Sequence, residues 1–394
     1  MNLLPLLGLA ATFILSGCKS SDDKATLRGE TIRELTEADL VNVEKFGEKF
    51  AQDATEGNAA EVARAFNARG YFLRSLDGIE FPPSEFEEFM SGVIKGTNQR
   101  AGGLGWGVLN EQLDYVKLLD FQGMKMPLFR FNEEGGFGYM IIMALPDASG
   151  EIKAYDTYML SNGDWSSMTT RRLILPTIKQ LLGSKFTRAF KKKDEADISN
   201  HLETIKAINN ASQTGDINAL QNAYRALPDK LQKERFFWST YLNSLVDNVD
   251  AHLKESLKFE AAFPDDAGVA LMLLDADFNR EDWDGTHRKL DTIRKFVDGD
   301  HYLDYYDSLI YILAEDFKRG VEMVDKALEA SPQSEDYWWS KITCLTELEE
   351  HQKLLTLLED YEKQFEVRLT KEDFNEGFLD KFIASPEGKA YFGG

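Results

Sequence analysis

The sequence predicts a multi-domain chain of two fold classes, an N-terminal α+β region followed by an all-α array of helical pairs. Three observations carry this. Apolar residues recur at helical spacing from Leu40 to about Ile94, then with a period of two from about residue 113 to 174. Strand signals vanish after about residue 194, where helical patterns of about 12–16 residues alternate with short breaks. Finally, Pro264 and Pro332 stand 68 residues apart with Asp298-Gly299-Asp300 at the middle step, which makes two periods of 34.

The chain opens on an apolar run, Leu3 to Leu15, and turns polar from Lys19 to Lys24. A bilayer span needs roughly 20 apolar residues, so the run fits a signal h-region better. A buried N-terminal helix is the alternative, but a helix without a polar face needs burial all round. Leu15-Ser16-Gly17-Cys18 resembles the lipobox of bacterial lipoproteins. That resemblance implies cleavage before Cys18, diacylation of its sulfur and a lipid anchor in the cell envelope. Such signals normally begin with Lys or Arg, and Met1-Asn2-Leu3 has neither, which points to a start further upstream. In enterobacterial lipoproteins an Asp after the Cys retains the protein at the inner membrane, so Lys19 implies the outer membrane, facing the periplasm. Residues 1–17 are expected to be a signal peptide, and residues 18–30 a flexible tether.

About 375 residues remain after processing, room for two or three domains. A content of 43% hydrophobic and 12% aromatic residues predicts globular domains, not disorder. If Cys18 carries lipid, Cys344 is left alone, so apolar cores and not disulfides must hold the fold. Cys344 falls in an apolar helical pattern and is expected to be a buried, inert thiol. The net charge of −22 argues against nucleic acid, whose backbone requires a basic face, and against broad adhesion to anionic headgroups. A basic partner would be steered toward such a field.

In the region 31–180, Thr36-Glu37-Ala38-Asp39 reads as a capping box opening a helix with Leu40, Val43, Phe46 and Phe50 on one face. Gly57-Asn58 breaks it, a second helix carries Ala60, Val62, Ala65 and Phe66, and a third spans Pro83 to Ile94. Strands are expected near 113–121, 124–132, 137–146, 151–161 and 165–174, joined by hairpin turns. Phe50-Ala51 and Gly57-Asn58 in a helical hairpin, followed by consecutive sheet strands, resemble the nuclear transport factor 2-like (SnoaL-like) folds. That resemblance implies helices and a curved antiparallel sheet forming a cone, whose mouth holds a small molecule in many members. It also implies that an Asp or His in the cone can do acid–base work. No His precedes His201, which leaves Asp156. Simple alternation puts Asp156 in an apolar row with Ile152, Ala154, Tyr158 and Leu160, where a carboxylate must be paired or face a ligand. Arg130 sits similarly beside Met126 and Leu128, and Arg171 and Arg172 are expected on the strand next to Asp156. A structural ion pair, a ligand-binding carboxylate and a catalytic one are all open readings. The candidate pocket is therefore Asp156, Arg130, Arg172 and Trp106, the last in Gly102-Gly103-Leu104-Gly105-Trp106-Gly107. That Gly-rich segment follows a helix and precedes a strand, the reverse of a phosphate loop, so it reads as a loop with Trp106 as a lid.

Residues 181–196 read as a basic linker, with Lys185, Arg188, Lys191, Lys192 and Lys193 among Phe186 and Phe190. Beyond it, 197–366 read as about five helical pairs. The unit 301–334 places Ser308, Gly320 and Ala327 where helices must approach closely, Tyr311 between them and Pro332 at the exit. These positions resemble tetratricopeptide repeats, which implies a superhelix whose groove binds peptides or protein segments. Tyr302, Tyr305, Tyr306, Trp338 and Trp339 crowd two first-helix starts and are the candidate groove contacts, with core packing as the competing explanation. Residues 367–394 are expected to cap the array through Phe374, Phe378, Phe382, Tyr391 and Phe392. The five His residues lack metal-ligand spacing and no nucleophile motif stands out, so neither a metal nor a cofactor is expected. The leading functional expectation is a membrane-anchored, non-enzymatic protein-interaction scaffold. A small-molecule or glycan-binding lipoprotein using the cone is the alternative, and an envelope hydrolase or isomerase acting through Asp156 a third.

Overall fold

The computed structural model describes residues 24–27, 30–33, 35–77, 79, 81, 83–99, 101–133, 136–182, 198, 200–374 and 377–393. The lipobox and the basic cluster at 185–193 lie outside these residues. The chain divides into two compact units, Met1–Pro264 and Asp265–Gly394. The division does not fall at the 181–196 segment. The first two helical pairs belong to the N-terminal unit, where Leu202 shares a core with Leu175, Ile178 and Met90.

In the first unit, β1 (Lys24–Leu27) lies where the sequence reads as tether and pairs antiparallel with β2 (Glu30–Arg33) at the start of the α+β region. The β-branched Thr26, Thr31 and Ile32 lie in the paired register and suit extended backbone. Helix α1 (Glu37–Thr55) starts at the expected capping box. Asp39 Oδ2 accepts from the Thr36 amide at 2.7 Å, and Thr36 Oγ1 accepts from the Asp39 amide at 3.3 Å. Helices α2 (Ala59–Ala65), α3 (Ala68–Ser75) and α4 (Pro83–Asn98) follow, then a 3-10 turn at Gly103–Val108.

A five-stranded antiparallel meander comes next: β3 (Leu113–Phe121), β4 (Met124–Glu133), β5 (Gly136–Pro146), β6 (Ile152–Met159) and β7 (Asp164–Trp165). One sheet face packs on α1 and α2 through Phe129, Phe131, Met140, Ile142 and Ala144 against Val43, Phe50, Ala54 and Val62. Gly47 permits this approach, because a Cβ there would stand 2.6 Å from the Tyr115 ring.

The strand expected over 165–174 is a correction. Only Asp164–Trp165 is strand, and Ser166–Leu182 is helix α5. Its buried residues Ser167, Arg171, Leu175 and Ile178 recur at helical spacing. Helices α6 (Leu202–Thr214), α7 (Ile217–Arg225), a short α8 (Asp229–Gln232), α9 (Arg235–Asn243) and α10 (Val249–Ala262) complete the unit. Arg235 ties them to the sheet by donating to the Leu160 and Ser161 carbonyls at 2.9 and 3.2 Å.

The second unit is a regular repeat. The first helices of its pairs, α11 (Ala267–Phe278), α13 (His301–Leu313) and α15 (Glu335–Glu347), start 34 residues apart. So do the second helices, α12 (Trp283–Phe296), α14 (Phe317–Ala330) and α16 (His351–Phe365). The turn inside each pair repeats to the residue. Glu281, Glu315 and Glu349 all take left-handed backbone, with φ of 58°, 58° and 55°. The next amide in each case, from Asp282, Asp316 and Glu350, donates back to the carbonyl of residue 277, 311 or 345. That bond satisfies a helix-end carbonyl and offsets the strain of the left-handed residue. With α6/α7 and α9/α10, five helical pairs stand among the described residues, and the 34-residue spacing is that of tetratricopeptide-like repeats.

Gly320 is small because α15 comes close: a Cβ would stand 2.8 Å from Cys344 Sγ. Cys344 is fully buried, and burial pushes its thiol pKa up to about 12, so it is unreactive. At the chain's end α17 (Asp380–Ala384) and α18 (Pro386–Phe392) close the last pair. Phe382 and Tyr391 enter its core, with Phe374, Phe378 and Phe392 packed alongside.

Candidate functional site

The structure places Asp156 in a wholly internal network. A bulge in β6 pairs Met143 with Asp156 but Ala144 with Ala154, leaving Tyr155 as the extra residue. The bulge reverses the alternation. Ile152 and Ala154 face the α1 core, while Asp156 turns to the opposite face, so the single apolar row expected from the sequence is broken. There Asp156 is 0% exposed. It accepts from Arg74 Nε at 2.8 Å, Ser167 Oγ at 2.5 Å, the Ser167 amide at 3.0 Å and its neighbour Thr157's amide at 2.9 Å. Burial pushes its pKa up, and the Arg74 guanidinium and the Ser167 hydroxyl act against that. Chemically, this carboxylate caps the first turn of α5 and ties α3, β6 and α5 together. Four donors, one of them the Arg74 cation, consume its lone pairs.

Its partner is Arg74, on the helix α3 that the sequence reading lacked, and not Arg171 or Arg172. Arg171 donates to the carbonyls of Ser75 and Asp77 at 3.0 and 2.7 Å. Arg172 pairs with Asp164 and lies 4.7 Å from the Phe236 ring. Arg130 shares a sheet face with Asp156 but pairs across strands with Asp114 at 2.7 Å. Asp156, Arg130 and Arg172 therefore each hold a separate partner, Arg74, Asp114 and Asp164 respectively. Trp106 contributes only its backbone position, in the 3-10 turn, because its side chain lies outside what is described.

The array residues fall into two groups. Trp338 and Trp339 pack toward α16 and the C-terminal cap. Trp338 stacks edgewise on Tyr361 and Phe365 at 6.1 Å and donates from Nε1 to the Pro332 carbonyl at 2.7 Å. Trp339 meets Tyr361 and Phe374 at 5.6 Å. Tyr302, Tyr305 and Tyr306 instead lie half-buried along one side of α13. The Tyr302 ring stands 5.6 Å from Tyr305 and 6.4 Å from Tyr306. Tyr305 also leans on Tyr337 of α15 at 4.6 Å. Burial pushes the Tyr305 and Tyr306 hydroxyls up to about 12; Asp336 raises the first further and Asp275 the second. These phenols stay protonated and can donate.

Three residues absent from the sequence reading complete this side. Leu313 is 52% exposed and continues the stripe through Leu309, at spacing that keeps one helical face. Asp275 of α11 bears on Tyr306. The 34-residue register would have pointed to it, because residues 275, 309 and 343 are equivalent. Among the described residues no group of three or more His, Cys, Asp or Glu could hold a metal ion.

No family model and no curated protein matches the chain. Among solved structures it is similar to the chain named MamA MSR-1 C2, at 12% identity and a TM-score of 0.34, covering 42% of this chain and 97% of that one.

Proposed function

We propose that the protein is a lipid-anchored scaffold of the bacterial cell envelope whose second unit docks a polypeptide partner. The observation that carries this is the α13 stripe: three half-buried Tyr side chains and an exposed Leu313 on one face of a rigid repeat unit. Aromatic side chains that are partly exposed on a rigid helix lose little entropy on binding and are frequent binding anchors. The anchor rests on Leu15-Ser16-Gly17-Cys18, and the outer membrane facing the periplasm on Lys19. No described helix is long and apolar enough to cross a membrane, and the proposed attachment is by acyl chains on Cys18. Asp156 is engaged by Arg74 and Ser167, which favours the scaffold over a ligand-binding or catalytic role for that carboxylate.

One experiment in the native envelope tests both parts. A photo-crosslinking residue at Leu309 should give discrete protein adducts, while the same residue at the exposed Glu322 of α14 should not. A fatty-acid analogue should label the wild type and not Cys18→Ser. Equal labelling of both proteins would remove the anchor, and identical adducts from both positions would remove the docking surface.

A further inference from the structure

We infer that the docking face of the second unit selects a cationic segment: a Lys or Arg flanked by apolar side chains, its charge held between Asp275 and the Tyr302–Tyr306 pair. This deepens the scaffold reading and rests on it. The 34-residue register lays three helices side by side in equivalent rows. Gly268, Tyr302 and Asp336 form one row, Met272, Tyr306 and Ser340 the next, and Asp275, Leu309 and Thr343 a third. The central column, from α13, is aromatic and then aliphatic: Tyr302, Tyr306, Leu309 and Leu313. Carboxylates stand on both flanking helices, Asp275 on α11 and Asp336 on α15. An apolar strip edged by negative charge complements a chain that alternates cationic and apolar side chains, and the chain's net charge of −22 draws such a segment in.

Asp275 is the informative member of the set. The other acids on α11 and α13 are engaged: Asp277 by Lys289 and Arg280, Asp307 by His287 and Arg294, Asp304 by Arg294. Among the described residues no cation pairs with Asp275. Its carboxyl reaches solvent but is crowded by its neighbours, and burial pushes its pKa up. A carboxylate that is partly desolvated and uncompensated costs stability at neutral pH, and a partner's cation would offset that cost. The tyrosines add to the fit, since a guanidinium or ammonium over a Tyr face is attracted by the ring.

The test uses the full chain and three acetylated, amidated nonapeptides. One has a central Lys flanked by Leu, the second has Glu in place of Lys, and the third has Ala in place of Leu. The Lys/Leu peptide should bind, and the other two should bind at least about tenfold more weakly. Asp275→Asn should weaken the Lys/Leu peptide about tenfold, whereas Asp250→Asn, an equal charge change in the other unit, should not. Asp275→Asn should also raise the thermal midpoint at pH 7. The sign follows from the raised pKa: the cost is present above the folded-state value and vanishes below the ordinary one. The gain should therefore disappear as pH falls toward about 4. Equal affinity for the Lys and Glu peptides, binding of neither included, overturns the proposal, as does an Asp275→Asn variant that binds like wild type. Either result leaves the scaffold reading standing if Leu309 still crosslinks in the envelope; that reading fails on the crosslinks alone.

Discussion

Asp156→Ala should destabilise the first unit by about 3–5 kcal/mol, the usual penalty for breaking a buried ion pair by removing one partner. The substitution leaves the Arg74 guanidinium, itself only 10% exposed, beside an empty space, and it uncaps α5 at the Ser167 amide. Replacing both charges, as in Arg74→Met with Asp156→Leu, should cost less than Asp156→Ala alone, because no uncompensated charge remains. Asp164→Ala, which breaks the more exposed pair with Arg172, should cost about 1 kcal/mol or less. Urea unfolding of the four proteins measures this. A loss below about 1 kcal/mol for Asp156→Ala would mean that the carboxylate does not tie α3, β6 and α5 together, and would return it to the candidates for ligand binding.

Trp338→Ala should lower the stability of the second unit by about 3 kcal/mol, the low end for a Trp truncation, because the indole is half-buried. The loss combines edge contacts to Tyr361 and Phe365 with the bond from Nε1 to the Pro332 carbonyl at the entrance of α15. Its effect on partner capture should follow the thermal midpoint and vanish at temperatures where the variant is fully folded. Unchanged stability with lost capture would instead make Trp338 a contact residue.

Much of the architecture is legible in the sequence because it is written in local signals. The Thr36 capping box, the meander of β3 to β6 and the 34-residue spacing each follow from residues adjacent in the chain or from period alone. What was hidden depends on tertiary contacts. Helix α3 is buried on every side from Gly70 to Ser75, so it shows no amphipathic period to find. Its one local sign is Asn67, whose side chain accepts from the Gly70 amide at 2.8 Å. Helix α5 carries Thr169 and Thr170, which favour strands, and contains Pro176, which lacks an amide hydrogen and normally ends a helix. The bulge at Tyr155 has no sequence mark, and it moves Asp156 to the other face of the sheet. The ion-pair reading of Asp156 was therefore available from its charge and apolar neighbours, but the identity of Arg74 was not. In the array, Tyr302, Tyr305 and Tyr306 were visible as a cluster, whereas Asp275 becomes apparent only when the repeats are laid in register.

Docking on α13 is tested most directly by measuring partner capture and thermal midpoint on Tyr302→Ala/Tyr306→Ala beside the wild type, with the full chain taken from the cells that produce it. Both rings are half-buried, so the double substitution should lower the midpoint, and capture is therefore compared at a temperature where both proteins are fully folded. Capture should fall by about thirtyfold or more, the consequence of losing an anchor worth about 2 kcal/mol. Capture that survives the double substitution with the fold intact would contradict the assignment of this face as the working surface.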